Sequence, residues 1–155
     1  MMSIMRTALV FIVAVLVGTV LVSIANTHVV LQSLGAVGAD FPAAVRLDAI
    51  KRDLLGFGPT LFAVVLIGFA IAFPVAGWIA RLLGRPWRRI GFTLAGGAAV
   101  ACIMIAITAY YGAALHSTIT PVASSRTLPG LLSLALAGAG AGLLFSLLKP
   151  PARSR

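Results

Sequence analysis

Few residues of this chain could do chemistry. Its 155 residues include two histidines, His28 and His116, one cysteine, Cys102, and three acids, Asp40, Asp48 and Asp53, against 12 lysines and arginines. Two histidines on separate helices could supply both axial ligands of a haem. They could equally frame a metal or quinone pocket. Arg126 stands beside the start of an apolar run, where it either binds an anion with help from a helix N-terminus or snorkels to phosphate and water. His28, His116 and Arg126 are therefore the ligand-binding candidates. Both histidines adjoin the ends of apolar runs, where a polar ring is comfortable without any ligand, so haem ranks last.

Catalytic signatures are missing from the sequence. It holds no Gly-x-Ser-x-Gly, no His-Glu-x-x-His and no Gly-x-x-x-x-Gly-Lys, the spacings that build a nucleophile elbow, a zinc site and a phosphate loop. A hydrolase assembled from Asp40, Asp48, His28 and His116 has no spacing to support it. Cys102 has no second cysteine to pair with and sits in an apolar run, where it acts as a small hydrophobe. No catalytic residue, metal or cofactor is expected. The chain also lacks the cysteine pairs of membrane disulfide-forming enzymes and the membrane glutamate of small multidrug exporters. The Glu/Arg-rich helices of the glutathione-transferase-like membrane family are missing too.

The elements that carry these residues follow from composition. Hydrophobic residues make up 61% of the chain and charged ones 10%, with a mean hydropathy of +1.11. Soluble domains hold about 45–50% apolar and about 25% charged residues, and a chain this short cannot bury such an excess in one core. The expectation is an all-α integral membrane protein: four transmembrane helices as a bundle, with one short amphipathic helix on the outer membrane surface. Spans are expected at about 7–26, 59–80, 90–115 and 128–148, each near the 20 apolar residues needed to cross a bilayer. Lipid demands internally satisfied backbone hydrogen bonds, which overrides the weak helix propensity of the β-branched first span.

The first span needs a comparison with a secretory signal. Arg6, Ala8–Val22 and Ser23-Ile24-Ala25 resemble a charged, an apolar and a cleavage region. The apolar run is longer than such signals usually carry and is followed by three more spans, so an uncleaved helix is expected. Pro74 removes one backbone bond within the second span and is expected to kink it. Gly138 and Gly142, with Ser133, Ala137 and Ala141 alongside, make a smooth face for helix packing, as do Gly96-Gly97-Ala98-Ala99. Such faces serve contacts inside a bundle or association with a partner or second copy.

Charge sets the expected orientation. With the N-terminus inside, the cytoplasmic segments hold Arg6, then Arg81, Arg85, Arg88 and Arg89 in loop 81–89, then Lys149, Arg153 and Arg155. The outer loops, 27–58 and 116–127, hold only Arg46, Lys51, Arg52 and Arg126. Basic residues favour the cytoplasmic side, so both termini are expected there. The basic residues form short clusters separated by spans rather than one stripe, which excludes the nucleic-acid partner a charge of +9 suggests. Arg81, Arg85, Arg88 and Arg89, with Trp78 and Trp87, read as an anchor on an anionic leaflet, or else as a docking patch for an acidic partner.

The loop between the first two spans contains every acid. Asp40 precedes Phe41-Pro42 and could cap a helix over about 41–55. Ala43, Leu47, Ile50 and Leu54 then form its apolar stripe, with Arg46, Asp48, Lys51, Arg52 and Asp53 largely off it. Asp48 precedes Lys51 and Arg52 by three and four residues, the favourable order for ion pairs along a helix. This helix is either a connector or a lid. Residues Val29–Ala39 either extend the first helix or lie at the interface.

The leading reading is a small multi-spanning protein of the bacterial inner membrane, acting as a non-catalytic accessory or scaffolding subunit through its smooth helix faces. The bilayer and a membrane-protein partner or second copy are then its partners. The alternative is a carrier or binding protein for a lipid, quinone or other apolar ligand, with a cavity beneath 41–55. Haem-linked electron transfer stands third.

Overall fold

A computed structural model describes residues 2–36, 42–84, 87–114 and 122–149 of the chain. They form α1 (Met2–Gly35), α2 (Ala43–Gly56), α3 (Gly58–Leu83), α4 (Trp87–Ala114), a 3₁₀ turn at Ala123–Arg126 and α5 (Leu128–Leu148). No strand occurs among the described residues. Helices α1, α3, α4 and α5 are long and apolar enough to cross a membrane. At about 1.5 Å per residue, even α5, the shortest of the four, reaches across about 30 Å of hydrocarbon.

Contacts fix the arrangement as an antiparallel ring, α1–α3–α4–α5, in which every chain neighbour is also a spatial neighbour. Going up α1, Phe11 meets Phe145, Gly18 faces Ala141 and Asn26 reaches Ser124, so α1 and α5 run in opposite directions. Gly18 also faces Phe69, and Phe11 meets Phe73, which sets α3 antiparallel to α1. Outward, the helices are apolar on every side. Leu9 is 64% exposed, Ile71 66%, Leu94 64% and Leu136 72%, one from each long helix. A helix apolar all round belongs in lipid, because water would penalise these faces at about 25 cal/mol per Å².

Two devices hold the ring. The first is a phenylalanine cluster. Phe73 of α3 stacks on Phe145 of α5 with ring centroids 4.5 Å apart, and meets Phe92 of α4 at 5.7 Å and Phe11 of α1 at 6.1 Å. Edge-to-face and offset pairs of this kind add about 0.5–1.5 kcal/mol each beyond area burial. The second is a glycine seam between α4 and α5. A Cβ added at Gly138 would collide with the Gly96 carbonyl, and one at Gly142 with the Phe92 carbonyl. The seam corrects one part of the leading reading. The Gly138 and Gly142 face is spent inside the chain, backbone against backbone, and is not a free surface for a partner or second copy.

Helix α1 does not stop at Asn26 but continues to Gly35, so Val29–Gly35 extends the first helix. Asn26 is level with the turn before α5, which leaves residues 27–35 rising about 14 Å beyond it. Helix α2 begins after Pro42, whose carbonyl accepts from the backbone of Val45 and Arg46. Proline thus stands at the cap rather than in the first turn, and Asp40 lies outside the described residues. Phe57 keeps helical angles between α2 and α3, its amide bonding back to Asp53 and its carbonyl accepting from Leu61. At the other end of α3, Gly84 takes φ 92°, a left-handed geometry that favours glycine, and its amide closes on Ala80.

Candidate functional site

Polar side chains gather inside the bundle at the α2 end. Ser23, Asn26 and Thr27 recur on α1 at three- and four-residue steps, which brings them to one side of the helix. Ser23 is fully buried, and its Oγ donates to Asp53 Oδ2 of α2 at 2.5 Å. Ser124, also buried, donates from Oγ to Asn26 Oδ1 at 2.6 Å. Its neighbour Ser125 lies 3.4 Å from the Thr108 hydroxyl of α4. One face of α1 therefore ties down both α2 and the 3₁₀ turn. The turn is seated on α5 as well. Thr127 Oγ1 accepts from the Gly130 amide at 3.3 Å, and any side chain at Gly130 would strike the Ser124 carbonyl.

Thr27 is the exception within this group. Thr19, Thr93 and Thr108 each return their hydroxyl to the carbonyl four residues back, at 2.9 Å. The Thr27 hydroxyl is buried and has no partner among the described residues. A buried hydroxyl without a bond costs about 1–3 kcal/mol.

Asp53 corrects the expected face of α2. The half-buried residues are Ala49, Ile50, Asp53 and Leu54, whereas Ala43 and Leu47 are exposed. The packed stripe is rotated toward the acid, which Ser23 meets with a hydrogen bond. Asp53 is thus on the packed side, while Arg46, Asp48, Lys51 and Arg52 are exposed. Arg52 Nε bonds to Asp48 Oδ2 at 2.7 Å, which holds the guanidinium above its ordinary pKa. Sequence reasoning missed Ser23 as the partner of Asp53 and Asn26 as the partner of Ser124. The available signal was the polar i, i+3, i+4 spacing within an otherwise apolar run.

His28 is exposed on the projecting part of α1, and His116 lies outside the described residues. Arg126 is exposed in the 3₁₀ turn and is engaged in an interaction there. Among the described residues no three His, Cys, Asp or Glu side chains gather to hold a metal. Chemically, the α2-end cluster offers one carboxylate, hydroxyls and an amide. That set can orient a helix or hold a small polar species. A groove between α3 and α4, lined by Val65, Phe69, Val100 and Met104, is wholly apolar and too narrow for water.

At the opposite end, Arg81, Arg89, Trp78 and Trp87 are exposed, and Arg85 lies outside the described residues. Arg88 is half-buried and turns back onto α5. Its Nη2 donates to the Ser146 carbonyl at 2.8 Å and to the Lys149 carbonyl. It thereby satisfies the orphan carbonyls at the α5 C-terminus, where a cation is also favoured by the helix dipole. Lys149 lies over the rings of Phe92 and Phe145, its Nζ 5.2 and 5.3 Å from their centroids. Comparison with protein-family models, curated proteins and solved structures finds no match to the chain.

Proposed function

We propose that the chain is a non-catalytic accessory or scaffolding subunit of a membrane complex, placed in a bacterial inner membrane with both termini in the cytoplasm. The observation that supports a structural role is how the bundle is filled. Phe73 joins rings from all four long helices, and the α4–α5 seam leaves no room for a methyl group at Gly138 or Gly142. A core of this density transmits position rather than admitting a ligand. Since the glycine seam is internal, the surface left for a partner is the projecting part of α1 together with α2. Leu34, Val45, Leu47 and Leu55 are exposed there beside charged residues.

Gentle extraction from native membranes, followed by native mass measurement, tests the reading. The expected result is a defined complex heavier than the 16.0 kDa chain. A lone monomer without a copurifying protein overturns it. The carrier reading keeps one observation in its favour, the unpartnered Thr27 hydroxyl near the Ser23–Asp53 bond that holds α2. An apolar molecule extracted in stoichiometric amount from that monomer would replace the subunit reading with the carrier.

A further inference from the structure

Three cations from three helices converge at the end of the bundle opposite α2. Arg81 lies in the last turn of α3, Arg88 in the first turn of α4, and Lys149 caps α5. Arg88 and Lys149 are locked together, because the guanidinium bonds to the Lys149 carbonyl while the lysine side chain lies across Phe92 and Phe145. Among the described residues no acid balances them. The acids of the chain are Asp40, Asp48 and Asp53, all in the segment between α1 and α3. Burial, with Arg88 and then Arg81 close by, holds the Lys149 ammonium below the usual lysine range.

We propose that Arg81, Arg88 and Lys149 form a binding site for the phosphate headgroup of an anionic phospholipid. Like charges held this close, partly out of water, are stabilised by an anion placed between them. The surroundings favour a lipid over a free anion. Trp78 and Trp87 are exposed on α3 and α4, as residues of a headgroup belt are. Deeper along the same three helices Ile71, Val75, Leu94 and Leu143 are exposed and apolar, a surface for acyl chains. Basic pockets between membrane helices take anionic headgroups in this way. Arg88 spends one amino group on α5 and positions Lys149, which leaves Lys149 and Arg81 as the principal contacts.

The site depends on the membrane placement and not on the subunit reading, so either can fail alone. The test is native mass spectrometry of the full chain in detergent, with phosphatidylglycerol and phosphatidylcholine of identical acyl chains. Wild type should retain phosphatidylglycerol in preference. Lys149→Gln and Arg81→Gln should each lower that preference about fivefold, the effect of one basic residue near a charged surface. Arg89→Gln, outside the cluster, should not, and Lys149→Arg should restore it. Equal retention of the two lipids by wild type overturns the proposal without needing any variant to fold. Displacement of the lipid by millimolar inorganic phosphate also overturns it, in favour of a free-anion site.

Discussion

At the scale of residues, the Ser23–Asp53 bond decides how α2 is held. Hydrogen bonds to charged groups contribute about 1.5–3 kcal/mol when buried, and the half-exposed carboxylate lowers that toward about 1 kcal/mol. Ser23→Ala and Asp53→Asn should therefore show a coupling of about 1 kcal/mol in a double-mutant cycle. Hydrogen exchange gives the clearer readout. Ser23→Ala should cost amide protection across 43–56 while α4 and α5 keep theirs. Unchanged protection in α2 would show that the bond holds nothing. Thr27 makes the opposite forecast. Its hydroxyl is buried without a partner among the described residues, so Thr27→Val should be neutral or stabilise by up to about 1 kcal/mol. A loss of stability on thermal unfolding would mean that the hydroxyl does have a partner. Both positions were hard to read in sequence, for one reason. Hydropathy marks a serine in an apolar run as tolerated, but only the partner across the fold says what it does. Asp53 likewise looked like one of several solvated charges until Ser23 supplied a donor.

At the scale of elements, the four apolar helices were legible because lipid length and backbone satisfaction leave almost no alternative. The interface that the small residues serve was not. Gly138 and Gly142 announce close packing, yet the spacing is the same whether the neighbour is a helix of this chain or of another. Here the neighbour is α4, whose Gly96 and Phe92 carbonyls lie where side chains would be. Gly142→Ala should therefore destabilise by about 1–3 kcal/mol through overpacking. Gly140→Ala is the control on the same helix. Its added methyl would meet only a Leu21 methyl at 3.5 Å, an ordinary contact, so it should be neutral or slightly stabilising. Thermal unfolding in one detergent compares the two. Equal effects would remove the seam as a determinant of the fold. A dimer lost in Gly142→Ala with unchanged monomer stability would return the stripe to intermolecular use. The extension of α1 beyond Asn26 was open in sequence because Val29–Gly35 is only weakly apolar, satisfying neither a buried nor a solvated pattern.

At the scale of the whole molecule, the chain is electrically polar along the bundle. Arg81, Arg88, Arg89 and Lys149 stand at one end, whereas α2 at the other mixes Asp48 and Asp53 with Arg46, Lys51 and Arg52. The asymmetry makes both-termini-inside the favoured orientation under the positive-inside rule, which counts basic residues close to span ends. The structure divides those residues by task. Arg88 is committed to the carbonyls of α5, whereas Arg81 and Arg89 are exposed. Reporter fusions test the orientation directly. A green fluorescent reporter after Arg155 should fluoresce and alkaline phosphatase there should be silent, with the reverse at positions 37–41. The opposite pattern would invert the topology and move α2 to the cytoplasm. Replacing Arg81, Arg85 and Arg89 with glutamine then asks whether charge alone sets the outcome. With those three removed, the two sides carry nearly balanced basic residues, and the fusions should report a mixture of orientations while Arg88 still closes α5. A pure wild-type pattern in that variant would mean that helix packing, rather than charge, commits the chain to its orientation.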